Sequence, residues 1–367
     1  MPWAEAEATW ASQWQALGRA LNLNPTLLPA WTSTIVRELT APGAVQVLIA
    51  TDEGRLTGIV PFHVRPEMVG PFQVRVLEPV SSVVSYHAEL PVRGDLAGLL
   101  RHLTGTHRTL GWDVLRFGGV LADSATDQAI RAVAKADGQP LISVPGEESP
   151  YMALGVSGET LVARRPKRDR YLMRKNAKDF AAEPGAVEVW YGMGGDPRAD
   201  TDQLLEAMLH IERDSWKAAA GVAISDDPRE TAYYRRLLAQ LAAAGQLRAC
   251  LLVIDEVPAA YCLCYAWEGT YGCMKGTYRE PLARLAVGHH AQNQLLVRLA
   301  DEGGTEFDFL GDADRYKLAW SPTTRRHVDH FLYAPAGRGW WLGKIQQLRR
   351  RFRRPARPAQ AADEVSR

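Results

Sequence analysis

An α/β protein of two similar halves, each a mixed, largely antiparallel sheet flanked by helices, is the fold class that three observations predict. Segments of helical period alternate with short strand-like runs along the whole chain. Acidic turns join neighbouring runs, Asp52-Glu53-Gly54 between 45–50 and 56–64 and Asp255-Glu256 between 247–254 and 257–267, and both read as hairpins. The order helix, antiparallel strands, helix, strand also occurs twice. At 367 residues and roughly 100–200 residues per domain, the expected division is 1–155, 156–336 and a basic, disordered tail at 337–367.

The elements follow in order. Trp3, Trp10, Trp14 and Leu17 keep helical spacing; Asn24-Pro25 breaks that segment before a second helical stretch at 31–39. After the first hairpin, 72–77 reads as a strand, 96–104 as a helix and 114–117 as extended chain. Residues 124–136 form a helix that Ser124 caps and Gly138 stops. The run Pro145-Gly146-Glu147-Glu148-Ser149-Pro150 reads as a loop. In the second half a basic helix covers 162–182, a strand 187–191, and amphipathic helices 200–216 and 231–244. The second hairpin is followed by a strand at 271–277, a helix at 289–302, and strands at 306–310 and 328–334.

Composition narrows the function. Lys plus Arg is 43 and Asp plus Glu is 42, for a net charge of +1, so a dedicated nucleic-acid coat is disfavoured. Seven basic residues and no acid fall within 344–357, which leaves −6 for the rest of the chain. Spanning a bilayer takes about 20 apolar residues, and the best run, 257–267, has eleven. The acidic N-terminus lacks a positive region followed by an apolar block, so no secretory signal is read and a cytoplasmic protein is expected. The four cysteines, Cys250, Cys262, Cys264 and Cys273, show neither a C-x-x-C pair nor zinc-finger spacing. Reduced thiols in a core, with no metal, are the expectation, although Cys262 and Cys264 share a strand face.

Several short motifs then occur in a familiar order. They are Leu56-Thr57-Gly58-Ile59-Val60-Pro61, Trp112-Asp113-Val114-Leu115, Ser215-Trp216-Lys217, Tyr233-Tyr234-Arg235-Arg236-Leu237 and Gly245-Gln246-Leu247-Arg248. Lys275-Gly276-Thr277-Tyr278, Gly288, and Phe307-Asp308-Phe309-Leu310-Gly311-Asp312 with Tyr316-Lys317 complete the series. The second half resembles a GNAT N-acetyltransferase domain, and the chain from Asn24 to about Tyr333 resembles the CelD-type cellulose-biosynthesis acetyltransferases. The ending is also similar to the Fem-type aminoacyltransferases, which carry two GNAT-like halves. The resemblance implies two tandem GNAT-like domains with the C-terminal one catalytic, and acetyl-CoA or another acyl-CoA as cosubstrate.

The same resemblance implies that the donor lies where two neighbouring strands splay apart, for which 257–267 and 271–277 are the candidates. Its diphosphate would meet the helix N-terminus around Arg284, Val287, Gly288 and His289, where free amides and the helix dipole favour an anion. The loop departs from the family pattern, since Val287 and His289 stand where small residues are usual. Acyl transfer needs a proton acceptor and an oxyanion donor. Asp308 and Asp312 are the candidate carboxylates, on one side of a strand if it continues to 312; Asp312 reads equally as a helix cap. Tyr316 can return a proton to the leaving thiolate, or pack as a plain aromatic. Trp216, Lys217, Lys275, Tyr278 and Lys317 are the candidate acceptor contacts, with a buried Trp216 anchor as the alternative.

Two basic stretches remain. Arg164 to Lys178 gathers eight positive charges, which would attract a phosphorylated acceptor or form a solvated helix face. Trp340, Trp341 and Leu342 ahead of the arginine run combine interfacial aromatics with a polybasic patch, the ingredients of a weak anionic-membrane contact over 340–357 at the inner face. No Gly-x-Ser-x-Gly elbow occurs, which disfavours a hydrolase. The reading is an N-acyltransferase acting by direct attack on an amine of a sugar, amino acid or polysaccharide precursor. The alternatives are a Fem-like transferase using aminoacyl-tRNA, the one nucleic-acid partner considered, and a non-catalytic scaffold in polysaccharide assembly.

Overall fold

The computed structural model describes residues 1–40, 43–69, 72–82, 85, 87–193 and 200–352. The first half contributes strands β1 (Val45–Asp52), β2 (Arg55–Val69), β3 (Phe72–Pro79), β4 (Val114–Leu121) and β5 (Leu141–Ala153). The second contributes β6 (Val187–Tyr191), β7 (Leu247–Ile254), β8 (Val257–Trp267), β9 (Thr270–Tyr278), β10 (Glu306–Asp308) and β11 (Thr324–Tyr333). They form one sheet of 11 strands in the order β1-β2-β3-β4-β11-β5-β10-β9-β8-β7-β6. β11 therefore returns from the second half to lie between β4 and β5. The far end of β5 in turn pairs antiparallel with β10.

Both expected hairpins form, with Glu53, Asp255 and Glu256 taking left-handed conformations in their turns. Asn24 caps the short turn at Pro25–Leu27, and Ser124 caps the helix Ala125–Ala136 by accepting from the Asp127 amide. Apolar side chains on both sheet faces bury three large clusters. One packs Trp31, Met208, Tyr233 and Tyr265, and a second packs Cys262, Val287, Leu295 and Phe307. The third packs Leu100, Leu115 and Ile130 within the first half.

Four expectations change. Residues 145–150 are strand, not loop: Gly146 and Glu147 bulge opposite His327, and a Cβ on Gly146 would lie 3.3 Å from it. Pro150 stands where β5 passes from β11 to β10, and its carbonyl accepts from the Phe309 amide. The basic helix is two helices, Gly158–Ala163 and Lys167–Ala181, because Pro166 cannot continue the first. β10 stops at Asp308, since Leu310 and Gly311 both take positive φ. The tail is helical over Gly337–Phe352, and 353–367 lie outside the described residues.

Candidate functional site

β9 is paired with β8 along its length. On its other edge it meets β10 only through Thr270, Tyr271 and Gly272, in parallel. Beyond Asp308 the chain turns out of the sheet, so among the described residues the edge of β9 facing away from β8 has no strand beside it from Cys273 to Tyr278. The splay thus lies between β9 and β10, not between 257–267 and 271–277, which are hydrogen-bonded throughout. A cavity of about 290 Å³ lies along this edge. Tyr261, Cys262, Cys273, Gly276, Thr277 and Tyr278 line it from β8 and β9. Gly288, His289 and Gln292 line it from the helix Val287–Asp301, and Trp216, Asp314 and Tyr316 complete it.

Ala286, at φ +51°, swings the chain into that helix with no side-chain cap. The amides of Val287, Gly288 and His289 donate to nothing among the described residues. Three uncommitted donors and the positive helix end therefore meet at the cavity. Gly288 is required by close approach: a Cβ there would come within 2.7 Å of the Tyr278 ring. Burial pushes the His289 imidazole below its ordinary value, favouring the neutral ring. The Thr277 hydroxyl, buried against the same cavity, has no hydrogen-bond partner among the described residues.

The sequence-derived candidates divide sharply. Trp216, Tyr278, Gly288, His289 and Tyr316 converge on this cavity. Trp216 is 53% exposed, so it is no core anchor. Val287 is fully buried in the core and offers only its backbone amide. Arg284 points outward, its side chain 75% exposed and 3.8 Å from Glu183, and it does not line the cavity. Lys317 is committed elsewhere: its ammonium donates to the carbonyls of Leu310 and Asp312 at 2.7 and 2.9 Å, fastening the turn after β10. Asp312 is exposed and caps no helix; Asp314 is the carboxylate that reaches the cavity.

Asp308 does not line this cavity either. Its buried carboxylate accepts from His87 at 2.7 Å, Arg325 at 2.8 Å, Ser149 at 3.2 Å and the Leu310 amide at 2.8 Å. Burial alone would raise its pKa, but these hydrogen bonds and the His87 and Arg325 charges hold it below the usual carboxyl range. His87 belongs to the first half and Arg325 to β11, so Asp308 ties the halves together.

Lys217 and Lys275 meet at a residue that sequence reasoning missed, Glu212. Its fully buried carboxylate lies 3.1 Å from Lys217 and 3.5 Å from Lys275, and accepts from the Tyr261 hydroxyl at 2.5 Å and the Ile224 amide at 2.6 Å. Burial opposes its ionisation; the two lysines and two hydrogen bonds outweigh that and lower its pKa. Burial and the charge of Lys275 bring Lys217 down to about 8 despite Glu212. Both lysines line a neighbouring cavity of about 480 Å³ with Glu230 and Tyr234. A signal existed in the sequence. Glu212 falls four residues after Met208 and eight after Leu204, on the apolar stripe of the helix Thr201–Arg213.

Residues 167–318 match the family model of the acetyltransferase (GNAT) domain. No curated protein matches the chain by sequence. Among solved structures, FemX is similar at 12% identity and a TM-score of 0.57, over 88% of this chain and 96% of that one. L-PGS from Bacillus licheniformis is similar at 11% identity and a TM-score of 0.52, over 93% and 95%. A tandem GNAT protein from the clavulanic acid biosynthesis pathway is similar at 15% identity and a TM-score of 0.50, over 92% and 99%. At such identities these likenesses speak for the fold alone. The chain thus has a tandem GNAT-like α/β fold, and the match of residues 167–318 to the acetyltransferase (GNAT) domain marks it as an enzyme of the acyltransferase type.

Proposed function

We propose that the protein transfers an acyl group, acetyl in the simplest case, from acyl-CoA to an amine of a small-molecule or glycan-precursor acceptor. The observation that carries this reading is the convergence of the unpaired β9 edge and the three uncommitted amides at 287–289 on one cavity. The strand edge suits the amides of a pantetheine arm, and the helix end suits a diphosphate. Thr277 supplies a further hydrogen-bonding group along that path.

The transfer is direct. The amine nitrogen attacks the thioester carbonyl, the C–N bond forms, and the C–S bond breaks. Asp314 takes the amine proton, directly or through water, and Tyr316 gives a proton to the departing thiolate. Asp314 replaces Asp308 and Asp312 in this role because it alone of the three lines the cavity. Trp216, exposed at the same cavity, offers an apolar face to the acceptor.

Isothermal calorimetry with acetyl-CoA, CoA and aminoacyl-tRNA tests the donor. Acetyl-CoA binding that Gly288→Trp abolishes, with the fold intact by circular dichroism, is the expected result; unchanged affinity in that variant refutes the placement. A Fem-like use of aminoacyl-tRNA is the second reading, favoured by the exposed basic side chains of the helix Lys167–Ala181, and tRNA binding without CoA binding would establish it. Binding of none of the three would leave a scaffold. We also assign the helix Gly337–Phe352 to contact with anionic membrane, which would place the enzyme peripherally at a bilayer. Among the described residues no helix is long and apolar enough to cross one.

A further inference from the structure

Three of the four cysteines are brought together by the register of β8 and β9. Cys264 pairs directly with Cys273, and the ladder shifts between Leu263 and Cys264. Cys262 pairs with Gly276, which has no side chain to fill the space beside the thiol; even an added Cβ would stand 3.9 Å from its sulfur. The three Sγ atoms all lie within 4.8 Å of one another, and those of Cys262 and Cys273 are 3.7 Å apart. A thiolate sulfur lies about 2.3 Å from zinc, so two sulfurs on one tetrahedral ion stand about 3.8 Å apart. The triangle therefore already has close to the size that such an ion demands.

The surroundings suit a soft cation. Cys262 and Cys264 are buried, and Cys273 is half-buried. Both Cys262 and Cys273 line the donor cavity, which gives an ion a route in and leaves a position open on that side. Thiolate sulfur selects thiophilic metals over magnesium or calcium.

We infer that Cys262, Cys264 and Cys273 form a binding site for one thiophilic divalent cation of the zinc class, held by three thiolates with a fourth position open to the cavity. On binding, each thiol loses its proton to solvent and forms one sulfur–metal bond, with no change of oxidation state. The site stands on cysteine geometry alone and does not depend on the proposed acyl donor.

The test uses the full-length protein, reduced, freed of metal with a chelator, and titrated anaerobically with Cd²⁺ as a spectroscopic stand-in for Zn²⁺. One ion per chain is expected, with an ultraviolet thiolate-to-cadmium band of three-thiolate intensity that excess Zn²⁺ displaces. Cys264→Ser should weaken binding at least tenfold, and Cys250→Ser should leave it unchanged. In the wild-type protein one equivalent of Zn²⁺ should slow alkylation of Cys273, the most accessible of the four, at least tenfold; this measurement decides the matter even if a variant fails to fold. A band of one- or two-thiolate intensity, equal binding by folded Cys264→Ser, or an unchanged alkylation rate would overturn the assignment.

Discussion

Glu212 is surrounded by two ammonium groups, a phenol and an amide, with no water-facing surface of its own. Removing its charge leaves Lys217 and Lys275 facing each other inside the protein. Glu212→Gln should therefore destabilise the fold by about 3–5 kcal/mol, the cost of breaking a buried pair, measured as a shift in urea midpoint at neutral pH. The stability that this carboxylate contributes is present above the unfolded carboxyl pKa and is lost as pH falls through its lowered native value. Lys217 acts in the opposite limb. Its native pKa is about 8, against an ordinary 10.5, so between those values the unfolded chain holds more protons and stability rises with pH. Lys217→Met should abolish that rise; a wild-type profile flat over the window would contradict the cluster's geometry. Neither cluster member's role was legible from residue type. A glutamate on an apolar helix face was visible, but which lysines would reach it depended on how β9 crosses the helix Thr201–Arg213.

At the scale of elements, the helix Gly337–Phe352 shows how a docked segment can read as a tail. Its three glycines argue against a stable helix in isolation. Tertiary contacts override that propensity. Arg338 pairs with Asp113 at 2.5 Å, Gln347 donates to the Leu141 carbonyl at 3.1 Å, and Leu342 packs beside Val74, Val76 and Val114. Gly343 permits the approach, since a Cβ there would fall 2.6 Å from Pro140 and Tyr333. The opposite side presents Trp341, Ile345 and Leu348, spaced one to two turns apart and all exposed, beside Lys344, Arg349 and Arg350. Trp341→Glu with Leu348→Glu should abolish flotation with anionic vesicles while leaving the melting temperature and acetyl-CoA binding unchanged. Flotation retained by the double variant, or never shown by the wild type, would remove the membrane assignment.

At the scale of the molecule, the two halves share their strands. β11 is covered on both sides by first-half strands, and β5 carries the sheet on into β10. The Asp308 cluster adds a hydrogen bond to His87 and an ion pair to Arg325 at the same seam. Neither half can unfold without uncovering the backbone of the other, so calorimetry should give one cooperative transition with agreement between calorimetric and van't Hoff enthalpies. Two resolved transitions would show that the seam is weaker than its hydrogen bonding implies. The duplicated order of elements was readable along the chain. The exchange of strands was not, because a strand's own residues carry no record of which neighbour it will pair with.

The amino-acid sequence by itself determined the fold class, the two hairpins, most helix and strand positions, and the motifs that resemble a GNAT domain. These rest on local periodicity, turn chemistry and caps, which act over a few residues. Only the tertiary structure decided that the splay opens between β9 and β10, that Asp308 is spent on a seam while Asp314 reaches the cavity, and that three cysteines share one corner. Those outcomes depend on where β10 ends and how β8 and β9 register, and such long-range pairings are set by the packing of the whole sheet.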